Sequence, residues 1–154
     1  MTKAFRFART GGPEVLDWVD VDVGAPGRGE VLIRHTAVGL NYIDTYHRSG
    51  LYPMPLPSGI GLEAAGVVEA VGPGVTGFKA GDRVAYSGGP LGAYSEKRLF
   101  PAERLVKLPK EINDKTAASM MLKGMTACFL LKRTFKVKPG QTILWHAAAG
   151  GVGL

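Results

Sequence analysis

The stretch Gln141-Thr142-Ile143-Leu144-Trp145-His146-Ala147-Ala148-Ala149-Gly150-Gly151-Val152-Gly153-Leu154 decides how this chain is read. An apolar run follows the turn signal Pro139-Gly140 and gives way to small residues and then glycines, which predicts a strand, a tight turn and the start of a helix. Ala148, Gly150 and Gly153 fall at the spacing G-x-G-x-x-G, with alanine in the first place. In that arrangement the second glycine lets a pyrophosphate approach the backbone and the third lets the helix pack close. Free N–H groups at the helix start then hold the phosphates. The stretch reads as the opening of a dinucleotide-binding domain. The same small-residue turn recurs in α/β proteins that bind no nucleotide, so alone it leaves both readings open.

Length points the same way. The 154 residues suffice for one domain with a real core, whereas a dinucleotide domain needs a further ~100–150 residues beyond Leu154. The acidic residue expected ~20 positions after the glycines, which would hold the adenosine ribose, has no counterpart, so the residues do not separate NAD from NADP. The expectation is a truncated chain.

Composition is that of an ordinary globule, 45% hydrophobic and 21% charged, and 22 glycines with 10 prolines predict many turns and a β-rich architecture. No run reaches the ~20 apolar residues that span a bilayer, and MTKAFRFART has no apolar stretch behind its positive charges, so no membrane partner and a cytoplasmic address are expected. One cysteine, Cys128, excludes an internal disulfide; its apolar helical context predicts a small core residue. The net charge of +6 is spread along the chain. Its densest patch, Lys132, Arg133, Lys136 and Lys138, lies late in a helix and just after it, where cations complement the helix dipole, so a solvated face is favoured over nucleic acid.

Along the chain, Thr2 to Arg9, Val15 to Val23 and Glu30 to Val38 are expected as strands, and Asn41 to Arg48 as a short helix. Pro53, Pro55 and Pro57 force an extended segment. Glu63 to Val71 reads as a buried strand, and Asp82 to Tyr86, Ala93 to Phe100 and Leu105 to Leu108 complete the strands. After Pro109, Asn113 or Asp114 can cap a helix through Thr116 to Leu122, and Gly124 to Thr134 makes a second. The domain boundary is expected in this helical stretch, giving domains 1–123 and 124–154.

Six motifs in order then carry a resemblance over the whole chain: GGPEVL (Gly11 to Leu16), GLNYIDTYHRSGLY (Gly39 to Tyr52), GLEAAGVVEAVG (Gly61 to Gly72), AGDRVAY (Ala80 to Tyr86), LKGMTA (Leu122 to Ala127) and HAAAGGVGL. The chain resembles the zeta-crystallin-like quinone oxidoreductases of the medium-chain dehydrogenase/reductase superfamily. The resemblance implies a β-rich GroES-like catalytic domain, a twisted and partly open barrel with short helices, followed by the first strand and turn of an α/β Rossmann domain. It also implies NADPH and substrate in the cleft between the domains, and a homodimeric parent enzyme.

Related alcohol dehydrogenases place a zinc-binding cysteine where this chain has Asn41 and a histidine where it has Leu62, and leucine cannot bind a metal. One cysteine cannot supply a structural thiolate site either. His35, His47 and His146 have no spacing that converges them, so surface or satisfied-core roles are expected and no metal site is assigned. A quinone is already electrophilic, and hydride can pass directly from the nicotinamide once both rings are held, so the protein mainly supplies positioning. The resemblance places Asn41, Tyr42, Ile43, Asp44, Thr45 and Tyr46 beside the cofactor. Thr126 and Phe129 match positions at its nicotinamide end, and Gly150, Gly151 and Val152 match the pyrophosphate turn. Tyr46, Asn41 and Tyr52 are the candidate catalytic residues. Tyr46 and Tyr52 could shape an aromatic slot for a flat quinone, with a phenol bonded to a carbonyl oxygen; packing of the loop is the plainer alternative. Lys123 reads equally well as a helix-surface lysine. No general acid with a defined partner is assigned.

The expected function is a zinc-independent NADPH:quinone oxidoreductase acting on a quinone or another small electrophilic carbonyl. Reduction of α,β-unsaturated carbonyls is the alternative within the enzyme class. A non-catalytic GroES-like module binding a partner protein or RNA is the alternative outside it. An exposed Ile143-Leu144-Trp145 strand is a pairing hazard with no use in a binding module, which favours the enzyme. This stretch by itself is expected to bind NADPH weakly and turn over little.

Overall fold

The computed structural model describes residues 1–154. Its centre is strand β5 (Glu63–Val71), whose stretch Ala64-Ala65-Gly66 is small and buried because both of its faces are covered. On one face Ala64 and Val68 join Val31, Ile33, Val84, Tyr86 and Phe100 in the main core. On the other, Ala65 and Ala85 meet Ala117 and Ala118 of helix α2 (Asp114–Cys128). Alanine on both surfaces lets helix and sheet approach closely. Gly39, at the end of β3 (Glu30–Gly39), extends this: a Cβ there would run into the Ala118 carbonyl and Glu63.

Strand β5 pairs antiparallel with β3 on one side and β6 (Arg83–Ser87) on the other. The sheet is completed by β7 (Lys97–Pro101) against β3 and β8 (Val106–Lys107) against β6, in the order β7-β3-β5-β6-β8. A second sheet, β2-β1-β4, holds β1 (Thr2–Phe7) between β2 (Asp17–Val21) and β4 (Ser58–Gly59). A single bridge, Ala4 to Ser95, joins the sheets, and neither closes into a full barrel. The expected β-rich, partly open architecture is what the chain adopts.

Helix α1 (Tyr42–Ser49) sits where β3 ends. Asn41 is its N-cap, and the Asp44 carboxylate accepts the Asn41 backbone N–H at 3.0 Å. Gly50 ends it at φ +84, a left-handed conformation that suits glycine. Helix α2 is capped by Asn113, whose side chain accepts the Thr116 N–H at 2.8 Å. Asp114 ties its first turn to the body through the Thr36 hydroxyl at 2.7 Å and the Arg83 guanidinium.

Four expectations are corrected. Gln141 to His146 forms no strand, because no neighbouring strand supplies a ladder for its backbone. Gly124 does not begin a second helix: α2 runs through it to Cys128 and continues as a π-helical turn over Phe129–Thr134. One glycine costs only about 1 kcal/mol in a helix, too little to break one docked on a sheet. Cys128 is exposed, not a core residue, since no element covers that face of α2. Ala93 to Glu96 is not strand, because the chain crosses there from one sheet to the other, with Phe5 and Glu96 N–H groups bonding Tyr94 and Lys3 carbonyls.

Candidate active site

Asn41 is buried at the mouth of α1, and its side-chain amide donates to the Glu63 carboxyl at 2.6 Å. Asp44, one turn into α1, is also buried and faces inward. It accepts the Asn41 backbone N–H and the Tyr94 hydroxyl, the latter at 2.8 Å. Burial together with that bond to Asp44 pushes the Tyr94 phenol well above its ordinary pKa. The second Asp44 carboxylate oxygen and His47 Nδ1, one helical turn apart, are buried without a protein partner.

Two tyrosines of α1, Tyr42 and Tyr46, meet Tyr52 of the segment just after it. The Tyr46 ring lies 5.3 Å from Tyr42, edge to face, and 5.2 Å from Tyr52, tilted. Tyr42 is 75% exposed and Tyr52 48% exposed. The two remaining tyrosines spend their hydroxyls internally, Tyr94 on Asp44 and Tyr86 on His35, whereas those of Tyr42, Tyr46 and Tyr52 have no partner in the chain. Three free phenols on one open aromatic patch suit a flat ligand that carries hydrogen-bond acceptors. Ile43 is half-buried in the same helix, and the Thr45 hydroxyl is turned back on the Tyr42 carbonyl at 2.7 Å.

A second group of predicted residues meets across the last segment of the chain. Thr126, Gly150, Gly151 and Val152 line one cleft of about 610 Å³, with Leu130, Leu131, Phe135 and Trp145 giving it an apolar wall. The turn above it is held by Gly150 N–H on the Ala147 carbonyl at 2.8 Å and Leu154 N–H on the Gly150 carbonyl at 3.0 Å; these are isolated turns, and the expected start of a helix does not form. The N–H groups of Ala148, Ala149, Gly151 and Val152 have no acceptor within the chain. Small side chains and free amides gathered in one turn fit a phosphate-bearing cofactor. Gly151 rests on the aliphatic stem of Lys123, so Lys123 is a packing element here. Phe129 is 59% exposed and stands outside the cleft.

The two groups are joined through the interior. The second Glu63 oxygen accepts the Leu122 N–H of α2 at 2.9 Å, and the Thr126 hydroxyl donates to the Leu122 carbonyl at 2.7 Å. A hydrogen-bonded path therefore runs from Asn41 through Glu63 and the backbone of Leu122 to Thr126. Glu63, Tyr94 and Leu122 had not been singled out from the sequence. The available signal was a glutamate at the head of the small apolar run Ala64 to Val68.

His35 sits elsewhere, its Nδ1 2.6 Å from the Ser95 carbonyl and its Nε2 2.9 Å from the Tyr86 hydroxyl. A carbonyl only accepts, so Nδ1 carries the proton and Nε2 accepts from Tyr86. Burial lowers the His35 pKa to about 4. His35 is thus a half-buried histidine with both ring nitrogens satisfied. No three side chains among the histidines, cysteine and acids converge as metal ligands.

Two antiparallel sheets that do not close, a helix packed on the larger one, a buried amide at the start of α1 and a glycine turn beyond define the class of fold. Residues 27–110 match the alcohol dehydrogenase GroES-like domain, and the chain belongs to that family. It is 59% identical over 155 residues to a quinone oxidoreductase of Pseudomonas aeruginosa, covering 100% of this chain and 48% of that protein. It is 53% identical over 160 residues to a 2-haloacrylate reductase of a Burkholderia species, covering 99% and 48%. Among solved structures, Escherichia coli quinone oxidoreductase complexed with NADPH superposes with a TM-score of 0.95 at 49% identity, covering 98% of this chain and 47% of that one. The chain spans about half the length of the curated relatives it matches. No helix is long and apolar enough to cross a membrane.

Proposed function

We propose that this chain is the catalytic-domain part of an NADPH-dependent, zinc-independent quinone oxidoreductase, with domains dividing at 123/124 inside α2. The observation that carries the reading is the gathering of Thr126, Gly150, Gly151 and Val152 on one cleft, bonded through Glu63 to the Asn41 end of α1. Similarity to an enzyme crystallised with NADPH supports the same reading. The proposal extends to a cytoplasmic address and a homodimeric parent enzyme.

Bound NADPH would supply a hydride and its electron pair; with one proton from solvent, a quinone becomes a hydroquinone and NADP⁺ is left. The chain's own residues bind and orient. The free amides of Gly151 and Val152 would hold pyrophosphate oxygens, and Thr126 and Asn41 would flank the nicotinamide end. Tyr46 and Tyr52 would stack on the acceptor ring, with a phenol donating to its carbonyl oxygen. Asp44, buried as it is, would act by holding the start of α1. Tyr42, Ile43, Thr45 and Phe129 would border the site. Orientation of two rings is a sufficient catalytic device for an already electrophilic acceptor.

The 53% identity to a 2-haloacrylate reductase favours a second acceptor, an electron-poor alkene conjugated to a carbonyl. The complete translation product should oxidise NADPH with 1,4-benzoquinone, faster than with 2-chloroacrylate, and unchanged by chelators. Preference for the acrylate would move the reading to the second acceptor. Loss of turnover on zinc removal, restored by zinc, would overturn the metal-free reading.

A further inference from the structure

Glu63 is fully buried, carries a carboxyl group, and has no cationic partner. Burying such a group in a sheet is costly, and a fold in need only of packing would be served better by an apolar side chain. Its two oxygens are divided between two elements, one on the Asn41 amide before α1 and one on the Leu122 N–H within α2. We propose that Glu63 is a positioning residue that clamps the α1 end of the site to the α2 end and sets the orientation of the Asn41 amide. This rests on the NADPH-site reading above.

The chemistry follows from donors and acceptors. A carboxyl oxygen held 2.6 Å from the Asn41 amide accepts from nitrogen, so Glu63 turns Nδ2 inward and fixes which way round the amide meets a ligand. The other oxygen holds Leu122, whose carbonyl receives the Thr126 hydroxyl, so the same carboxyl sets where Thr126 stands. Gly39 leaves the space in which this happens, since a side chain there would strike both Glu63 and α2.

Glu63→Gln tests the clamp because glutamine keeps the shape but offers only one acceptor oxygen. If that oxygen serves Leu122, the new NH₂ faces the Asn41 NH₂ and the Asn41 amide must turn over. In protein ¹⁵N-labelled at asparagine and leucine, the Asn41 side-chain signals and the Leu122 amide signal should move together in Glu63→Gln. NADPH affinity should fall roughly tenfold or more, as expected of a misplaced binding group. Unmoved signals would overturn the clamp, and moved signals with NADPH affinity within about twofold of the parent would reduce Glu63 to a packing residue. Should Glu63→Gln fail to fold, the swap Glu63→Gln with Asn41→Asp restores donor to acceptor with reversed polarity. It should recover the fold and the parental Leu122 signal, and a double variant no better than the single overturns the proposal. A parent protein that binds no NADPH sinks the function reading instead, and the Asn41 and Leu122 signals alone then judge the clamp.

Discussion

The body up to Ala118 and the segment after it are built from similarly apolar sequence and end in different states. In the body Val31, Ile33, Ala64, Val84, Tyr86 and Phe100 are fully buried; beyond Ala118 no residue is buried, and Phe129, Phe135 and Leu144 stand 59%, 62% and 84% exposed. The difference lies in partners. The body strands have neighbours to complete their ladders and, in β3, β5, β6 and β7, apolar faces to cover, whereas Gln141 to His146 has a strand's composition and no strand beside it. Apolar patterning specifies a β-strand only together with the sheet that receives it.

The strongest way to break this contrast is to remove equivalent apolar bulk from both regions. Phe100→Ala deletes a fully buried ring stacked 4.0 Å from Tyr86 and should cost about 3–5 kcal/mol in denaturant unfolding. Leu144→Ala should cost no more than about 0.5 kcal/mol. A tail substitution as damaging as the core one would mean that the segment after Ala118 is held by contacts as extensive as those of the body.

Acid sharpens the same contrast, because the body contains a half-buried histidine held neutral. The folded pKa of His35, about 4, lies below the unfolded value of 6.5, so the folded state binds fewer protons in between. Its contribution is therefore complete above pH 6.5 and is lost as pH falls toward 4, amounting to about 3 kcal/mol. Asp114 and Asp82, whose pKa values are lowered by bonds to Thr36 and Lys107, add a loss at lower pH. Comparing parent with His35→Gln isolates the histidine: the variant should be less stable at neutral pH yet lose less between pH 6.5 and 4. Parallel stability profiles would mean His35 is not held neutral.

Much of the body was legible in the sequence. Glu63 to Val71 was bounded correctly because small residues hemmed by glycines have little choice, whereas α1, expected over Asn41 to Arg48, lies one residue later because Asn41 is its cap. The sheet change at Ala93 to Glu96 was not legible, since alternation there resembles an ordinary strand and only a distant partner, Ala4, breaks it. At the candidate site Asn41, Tyr46 and Gly150 to Val152 are named by motif and resemblance, and the fold gathers Gly150 to Val152 with Thr126 on one cleft. Glu63 was hidden because a glutamate at a strand start is ordinarily a solvated end; its burial depends on α2, more than fifty residues on.

Two smaller perturbations probe the seam between the regions. Asp114→Ala removes the carboxylate that ties α2 to Thr36 and Arg83, and should cost about 1–2 kcal/mol of stability while leaving the main core intact. Wild-type stability in that variant would show that alanine packing alone docks α2. Tyr46→Phe is the gentlest change, since its hydroxyl bonds nothing in the chain and the ring contacts to Tyr42 and Tyr52 survive. Stability should therefore stay within about 0.5 kcal/mol. A hydrogen bond made to the acceptor carbonyl as charge develops is worth about 1 kcal/mol, so quinone turnover should fall about fivefold with NADPH affinity unchanged. If affinity for NADPH falls instead and kcat holds, Tyr46 faces the cofactor and the acceptor slot belongs to Tyr52. If neither moves, the aromatic patch on α1 packs a loop, and catalytic positioning rests on the Asn41 end of the clamp alone.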